Sequence, residues 1–232
     1  MFNHLMTQPL MPLALTLGVF AAAATVSART KGHPFANPVL ISVGVLILLL
    51  SLTETPYDRY FAGAQFIHFL LGPATVALAV PLFRHLHRIR TSAFPILMGI
   101  AAGSAAGPLS IILITWALGG QEQVAASLVT KSVTAPVSMA IAPHIGGVPS
   151  LAAIFSVLTG MIGAAFGPSL LNRLNVEDHM QRGLAMGTAS HGQGTARILQ
   201  ESEEAGAFSA LAMGLTALAM ALLLPALSRL IM

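Results

Sequence analysis

Apolar residues run almost unbroken through about 9–27, 38–52, 64–83, 94–118, 149–171 and 207–231, with short polar links between. A helix needs roughly 20 apolar residues to cross a bilayer, so the pattern predicts six spans. Two further stretches, 123–144 and 183–200, are long enough to cross at about 1.5 Å per residue, but they are interrupted. Pro136 and Pro143 interrupt the first and glycines the second. Each is either a full crossing with an unwound centre or a re-entrant hairpin. The prediction is an all-α polytopic membrane protein of about seven or eight helical segments, two of them broken. It forms a single domain over 1–232, with N-terminal spans over 1–120 and a core holding the broken helices over 121–232.

The broken stretches are also polar. Met186-Gly-Thr-Ala-Ser-His-Gly-Gln-Gly-Thr-Ala-Arg197 carries glycines at 187, 192 and 194, and Thr130-Lys-Ser-Val-Thr-Ala-Pro-Val-Ser138 lies upstream. Irregular polar backbone at membrane depth survives only inside protein or beside a water-filled cavity. The backbone breaks are expected at Pro136, Gly187, Gly192 and Gly194, and both stretches are candidate solute sites. They also align weakly: Thr134–Ser138 with Thr188–Gly192, and Gly167–Leu171 with Leu224–Ser228. Interrupted segments at matching places in two repeats point to a transporter binding site.

Composition narrows the class further. The chain is 55% hydrophobic and 8% charged, against about 25% charged residues in a soluble domain. Its mean hydropathy is +0.80. The formal charge is +3, and this basicity does not suggest nucleic acid, because the positive residues gather in short loops. Arg29 and Lys31 lie in the first loop, and Arg84, Arg88 and Arg90 with His85 and His87 in the third. The positive-inside bias makes both cytoplasmic and turns the N-terminus outward. Residues 9–27, with no Lys or Arg before them, read as a retained first helix rather than a cleaved signal. There is no cysteine, which excludes thiol chemistry.

On an unbroken helix Thr188, His191 and Thr195 would share one face. A break there would expose backbone N–H groups that attract anions, and Arg197 adds a forked donor suited to a carboxylate. Close helix packing is the competing account of the same small residues. Lys131 is either a functional intramembrane cation or a side chain snorkelling to the interface. His144 reads as part of a connector turn. Ser190 and His191 are adjacent and point in different directions, with no acid suitably spaced, so a hydrolase is not expected. No metal site or cofactor is predicted. The ridges Gly99–Gly103–Gly107 and Gly163–Gly167 read as packing elements, and Glu201, Glu203 and Glu204 as the cap of a solvated turn.

The chain resembles the LrgB/CidB family. The resemblance rests on Lys131-Ser-Val-Thr-Ala-Pro136, Ile145-Gly-Gly-Val-Pro-Ser150, Leu158-Thr-Gly160 and Gly167-Pro168. It continues through Arg182-Gly-Leu-Ala-Met-Gly-Thr-Ala-Ser-His191, Gly194-Thr-Ala-Arg197, Glu204-Ala-Gly-Ala-Phe-Ser209 and Ala212-Met-Gly214. It implies a location in the bacterial inner (cytoplasmic) membrane and a fold of the cation/proton antiporter–anion transporter type. Two functions are implied. One is an antiholin-like regulator of murein hydrolase export and lysis, acting with a small LrgA-like partner. The other is carriage of small monocarboxylates such as glycolate, glycerate or pyruvate, as in related plastid proteins. On the second reading Arg197, with Lys131, neutralises the carboxylate, and Thr134, Ser138, Thr188, Ser190 and Gln193 bond its hydroxyl or oxo group. His191 binds substrate or carries a coupled proton, and Na+ is the other coupling ion considered. A homodimer is the expected assembly.

Overall fold

The computed structural model describes residues 10–30 and 36–231, which fall into two compact units, Met1–Ala77 and Leu78–Met232. Among the described residues the regular structure is all helical, and five helices are long and apolar enough to cross a membrane. These are Met11–Arg29, Tyr57–Arg84, Ala93–Ala117, Pro149–Arg173 and Glu203–Ala226. Large apolar side chains such as Leu109, Leu113, Trp116, Ile162 and Leu222 stand outward. A soluble protein could not expose them in such number; in a bilayer they meet lipid. The chain is an all-α polytopic membrane protein.

The first unit holds α1 (Met11–Arg29), α2 (Pro38–Leu52) and α3 (Tyr57–Ala77). Asn37 caps α2, its Oδ1 accepting from the Val39 and Leu40 amides at 3.0 and 3.2 Å, while Pro38 occupies the first turn. Thr16 of α1 and Tyr60 of α3 share a hydrogen bond of 2.6 Å. The third helix starts seven residues before the apolar run at 64, because Tyr57–Tyr60 continue it into polar sequence.

The second unit begins with the short helices α4 (Ala79–Arg84) and α5 (Leu86–Thr91), then α6 (Ala93–Ala117). The first polar stretch follows as α7 (Glu122–Leu128), an unwound stretch over 129–134, and α8 (Ala135–Ile141), which runs into a 3-10 turn over Ala142–Ile145. It turns back on itself. The Val148 amide donates to Ser127 Oγ at 2.8 Å, and a methyl group at Gly147 would lie 3.0 Å from the Ala126 carbonyl carbon. Along one straight helix residues 127 and 148 would be about 31 Å apart. The stretch is therefore a re-entrant hairpin (hairpin 1), with its tip at 129–134.

After α9 (Pro149–Arg173) the second polar stretch forms α10 (His179–Leu199), whose helical path is interrupted at His191. It too reverses. Arg182 Nη2 and Glu201 Oε2 are 2.8 Å apart, and a methyl group at Gly194 would lie 2.6 Å from the Met186 carbonyl oxygen. A straight helix would separate residues 182 and 201 by about 28 Å. Hairpin 2 thus has arms over 179–190 and 192–199, and α11 (Glu203–Ile231) follows. Hairpin 1 is based at the start of α9 and hairpin 2 at its end. The 25 residues of α9 span about 37 Å, so the hairpins enter from opposite faces. The alternative left open by proline and glycine spacing resolves to re-entry in both cases.

Ion pairs fasten the base of hairpin 2. Arg88 Nη2 meets Asp178 Oδ2 at 2.6 Å, Arg88 Nη1 bonds Glu204 Oε1, and Arg84 pairs with Glu203 at 2.8 Å. Burial works against the charge on Asp178, but the Gln181 amide and Arg88 outweigh it and hold the carboxyl below the usual carboxylate range. Arg88 also lies over the fully buried Phe208 ring, 6.0 Å from its centroid. Glu201, Glu203 and Glu204 are therefore more than the cap of a turn: each is paired to an arginine. Along the arms, Gly183 and Gly187 let hairpin 2 touch the backbone of α11. A methyl group at either would lie 2.3 Å from the Ala205 or 2.1 Å from the Ser209 carbonyl oxygen.

Two outcomes follow for the native chain, which lacks cysteine. Single cysteines at Glu177 and Gln200 will both react with an impermeant maleimide from the same face of oriented vesicles. Labelling from opposite faces would mean that α10 crosses. Gly187→Ala will lower thermal stability in detergent by about 1–3 kcal/mol, the usual cost of overpacking, and an unchanged melting profile would contradict the contact with Ser209.

Candidate functional site

The two hairpin tips both reach α9 at Ser156. In hairpin 1, Thr134 has extended backbone (φ −62°, ψ 150°) and Pro136 sits in the first turn of α8. Proline is tolerated there because the first-turn amide has no helical partner. Pro136 therefore starts the second arm and does not itself form the break, which falls on 129–134. Thr130 and Ser138, both fully buried, hold the arms together with a 2.6 Å hydrogen bond, and Ser138 Oγ donates onward to the Ala152 carbonyl at 3.1 Å.

In hairpin 2 the reversal falls on His191 and not on a glycine. His191 has φ 40° and ψ −130°, a region that costs a residue with a Cβ about 1–3 kcal/mol. Gly187 and Gly194 lie in the arms, where they permit close approach, and Gly192 follows the turn. Thr188, His191 and Thr195 do not share one continuous helix face, yet all three are buried. Thr195 bonds the His191 carbonyl and Ser209 Oγ, both at 2.8 Å.

Ser156 of α9 touches both tips. Its hydroxyl donates to the Val133 carbonyl in the tip of hairpin 1, and its own carbonyl accepts from His191 Nε2 at 3.0 Å. Glycines make the surrounding room. A methyl group at Gly160 would lie 2.6 Å from His191 Cε1 and 3.0 Å from Gln193 Cδ, and one at Gly163 would overlap Ser190 Oγ. On α6, Gly103 faces Thr188 and Gly107 faces Ser132 in the same way. Of the glycines expected to be packing elements, Gly103, Gly107, Gly163 and Gly167 do pack, against Thr188, Ser132, Ser190 and Met186 of the hairpins, whereas a methyl group at Gly99 would meet nothing within 4 Å, so that position is not a packing element.

The structure thus gathers Thr134, Ser138, Thr188, Ser190, His191 and Gln193 on the two hairpins around α6 and α9. Lys131 is half-buried in the unwound tip of hairpin 1, and no acidic side chain pairs with it among the described residues. Arg197 is elsewhere. It sits in the last turn of the second arm, paired with Glu201 at 3.1 Å, and Glu201 also takes Arg182. Among the described residues, the buried oxygens Ser104 Oγ, Gln193 Oε1 and Thr216 Oγ1 have no partner in the protein. Gln193 is the one of these on a hairpin, next to the His191 turn and against Gly160. Sequence reasoning missed Ser156 and Gly160 as site residues. The signal was present, because Ala152, Ser156, Gly160, Gly163 and Gly167 form a small-residue stripe at helical spacing.

The left-handed turn at His191 gives a direct test. His191→Gly will leave the protein folded and monodisperse in detergent, whereas His191→Val will melt several degrees lower, because a β-branched residue resists positive φ. Equal melting of the two variants would remove the backbone argument.

Comparison with known proteins matches the LrgB-like family over residues 16–230. The chain is 34% identical to an uncharacterised Bacillus subtilis protein, YwbG, over 89% of its length and 91% of that protein's. It is 32% identical to the holin-like protein CidB of Staphylococcus aureus, over 95% of this chain and 96% of that one. No solved structure matches.

Proposed function

The chain belongs to the LrgB-like family, and from that premise we propose that it carries small monocarboxylates across the bacterial cytoplasmic membrane, acting as a carrier and not as an enzyme. The observation that supports this reading is the meeting of two re-entrant tips, from opposite faces, at Ser156. A carrier must expose one central site to each side in turn. Two hairpins that each close one half of the path provide two gates around one site, and irregular backbone at that depth is tolerated where it lines a cavity.

The chemistry of the tips favours a small anion. Lys131 is a half-buried cation with no acidic side chain paired to it among the described residues, and an intramembrane ionisable group of that kind is costly unless something pairs with it. A substrate carboxylate would be that partner. Arg197 already shares Glu201 with Arg182, so in this reading the counter-charge falls to Lys131 alone. In this reading Thr134 and Gln193 would bond the remaining oxygen of a short hydroxy or oxo acid, while Ser138 is committed to Ala152. The coupling ion, H+ or Na+, would be identified by imposing each gradient in turn. An LrgA-like protein is the partner proposed for full activity.

Uptake by proteoliposomes tests this. Purified protein will take up labelled glycolate, glycerate or pyruvate saturably, without leakage of an inert dye of similar size. Lys131→Met will reduce uptake roughly ten- to a hundredfold, the worth of a charge-assisted hydrogen bond, with unchanged elution on size exclusion. Normal uptake by that variant would defeat the assignment. The name of the Staphylococcus aureus relative, holin-like, favours a second reading, a permeabilising or lysis-regulating role. Dye leakage in the same vesicles would select it.

A further inference from the structure

Ser156 makes bonds that an ordinary helical serine does not. Other buried and half-buried hydroxyls of the chain do turn back on their own helix: Thr16 bonds the Pro12 carbonyl, Ser42 the Pro38 carbonyl and Thr195 the His191 carbonyl, each four residues earlier. The equivalent acceptor for Ser156 is the Ala152 carbonyl. Ser138 of hairpin 1 occupies it, at 3.1 Å. Ser156 instead reaches across to the Val133 carbonyl of the same hairpin. Hairpin 1 is thus docked on α9 by an exchange: it takes the acceptor that Ser156 would use and offers one of its own.

We propose that Ser156 is the positioning residue that couples the two gates, its hydroxyl moving from the Val133 to the Ala152 carbonyl when hairpin 1 leaves α9. The inference rests on the carrier reading above. Its energetic basis is that departure of hairpin 1 orphans nothing on α9. Ser138 vacates Ala152 as Val133 vacates Ser156, and the freed hydroxyl closes on the freed carbonyl within its own helix. The hydroxyl also lies 3.5 Å from His191 Nε2, and with the Ala152 carbonyl as an acceptor in its own helix it escapes the desolvation penalty of an unpaired hydroxyl when hairpin 1 leaves. Coupling to hairpin 2 follows from the same residue, because the Ser156 carbonyl accepts from His191 Nε2. A back-bonded serine tilts its helix locally, which moves that carbonyl and so alters the seat of the His191 tip. One tip therefore registers whether the other is docked.

The experiment uses the full chain, whose lack of native cysteine allows clean spin labelling at Ala140 in hairpin 1 and Ala189 in hairpin 2. In the otherwise native protein, electron–electron distance measurement will give a distribution dominated by the docked arrangement. Ser156→Ala will shift the docked-to-open ratio by about tenfold toward open, the scale of one lost hydrogen bond, and Ser156→Thr, which keeps the hydroxyl, will restore it. A Ser156→Ala distribution identical to the native one overturns the proposal, as does failure of threonine to restore it while alanine changes it. In vesicles Ser156→Ala will also let the carboxylate pass without saturation, because both gates then open together, and retained saturable uptake by that variant counts against coupling. Should the native protein carry no carboxylate at all, the carrier reading falls, and the label distances still decide the role of Ser156.

Discussion

Backbone amides and carbonyls in hydrocarbon must find partners within the protein, and each that does not costs several kcal/mol. A helix meets that condition by itself; a turn does not. The second unit places two turns at membrane depth, so much of its architecture consists of arrangements that supply partners to them. The helix α9 lies between the tips and offers Ser156 to one and its carbonyl to the other. The glycines of α6 and α9 bring the neighbouring helices near enough for these bonds to form. Small residues at the centre and large apolar ones outside are two expressions of one requirement.

The same requirement explains where charge is allowed. Paired arginines and carboxylates gather at the base of hairpin 2, where Arg84, Arg88, Arg182 and Arg197 meet Asp178, Glu201, Glu203 and Glu204. There both arms begin or end, and a network of pairs fixes their ends relative to α11. Lys131 stands apart from that network. At its tip no acidic side chain among the described residues pairs with it, which sets it chemically apart from the satisfied charges at the base.

Much of the membrane architecture was legible from hydrophobic run length alone, since a span is defined by apolar continuity. Both polar stretches were legible too, because Thr, Ser, His, Gln and Gly do not face lipid. Their direction was not. Proline and glycine report that a helix is weak at a point but not whether the chain continues or turns back, and only contacts such as Arg182 with Glu201 decide that. The turning point in hairpin 2 was hidden for a related reason: His191 adopts a backbone conformation normally left to glycine, while glycines beside it serve packing. The surroundings of Arg197 were not legible, because its pairing with Glu201, which also takes Arg182 from the other arm, depends on the reversal. The polar stripe through Ser156 and Gly160 was readable, but small residues on a span have a common structural explanation that masked it.

The contacts of Gly183 and Gly187 with the carbonyls of Ala205 and Ser209 constrain how the protein is made. Hairpin 2 leaves the ribosome before the helix against which it packs, and its arms are too short and polar to be stable in lipid alone. Its packed form therefore exists only once α11 has been synthesised to receive it, so this segment is completed by sequence that follows it.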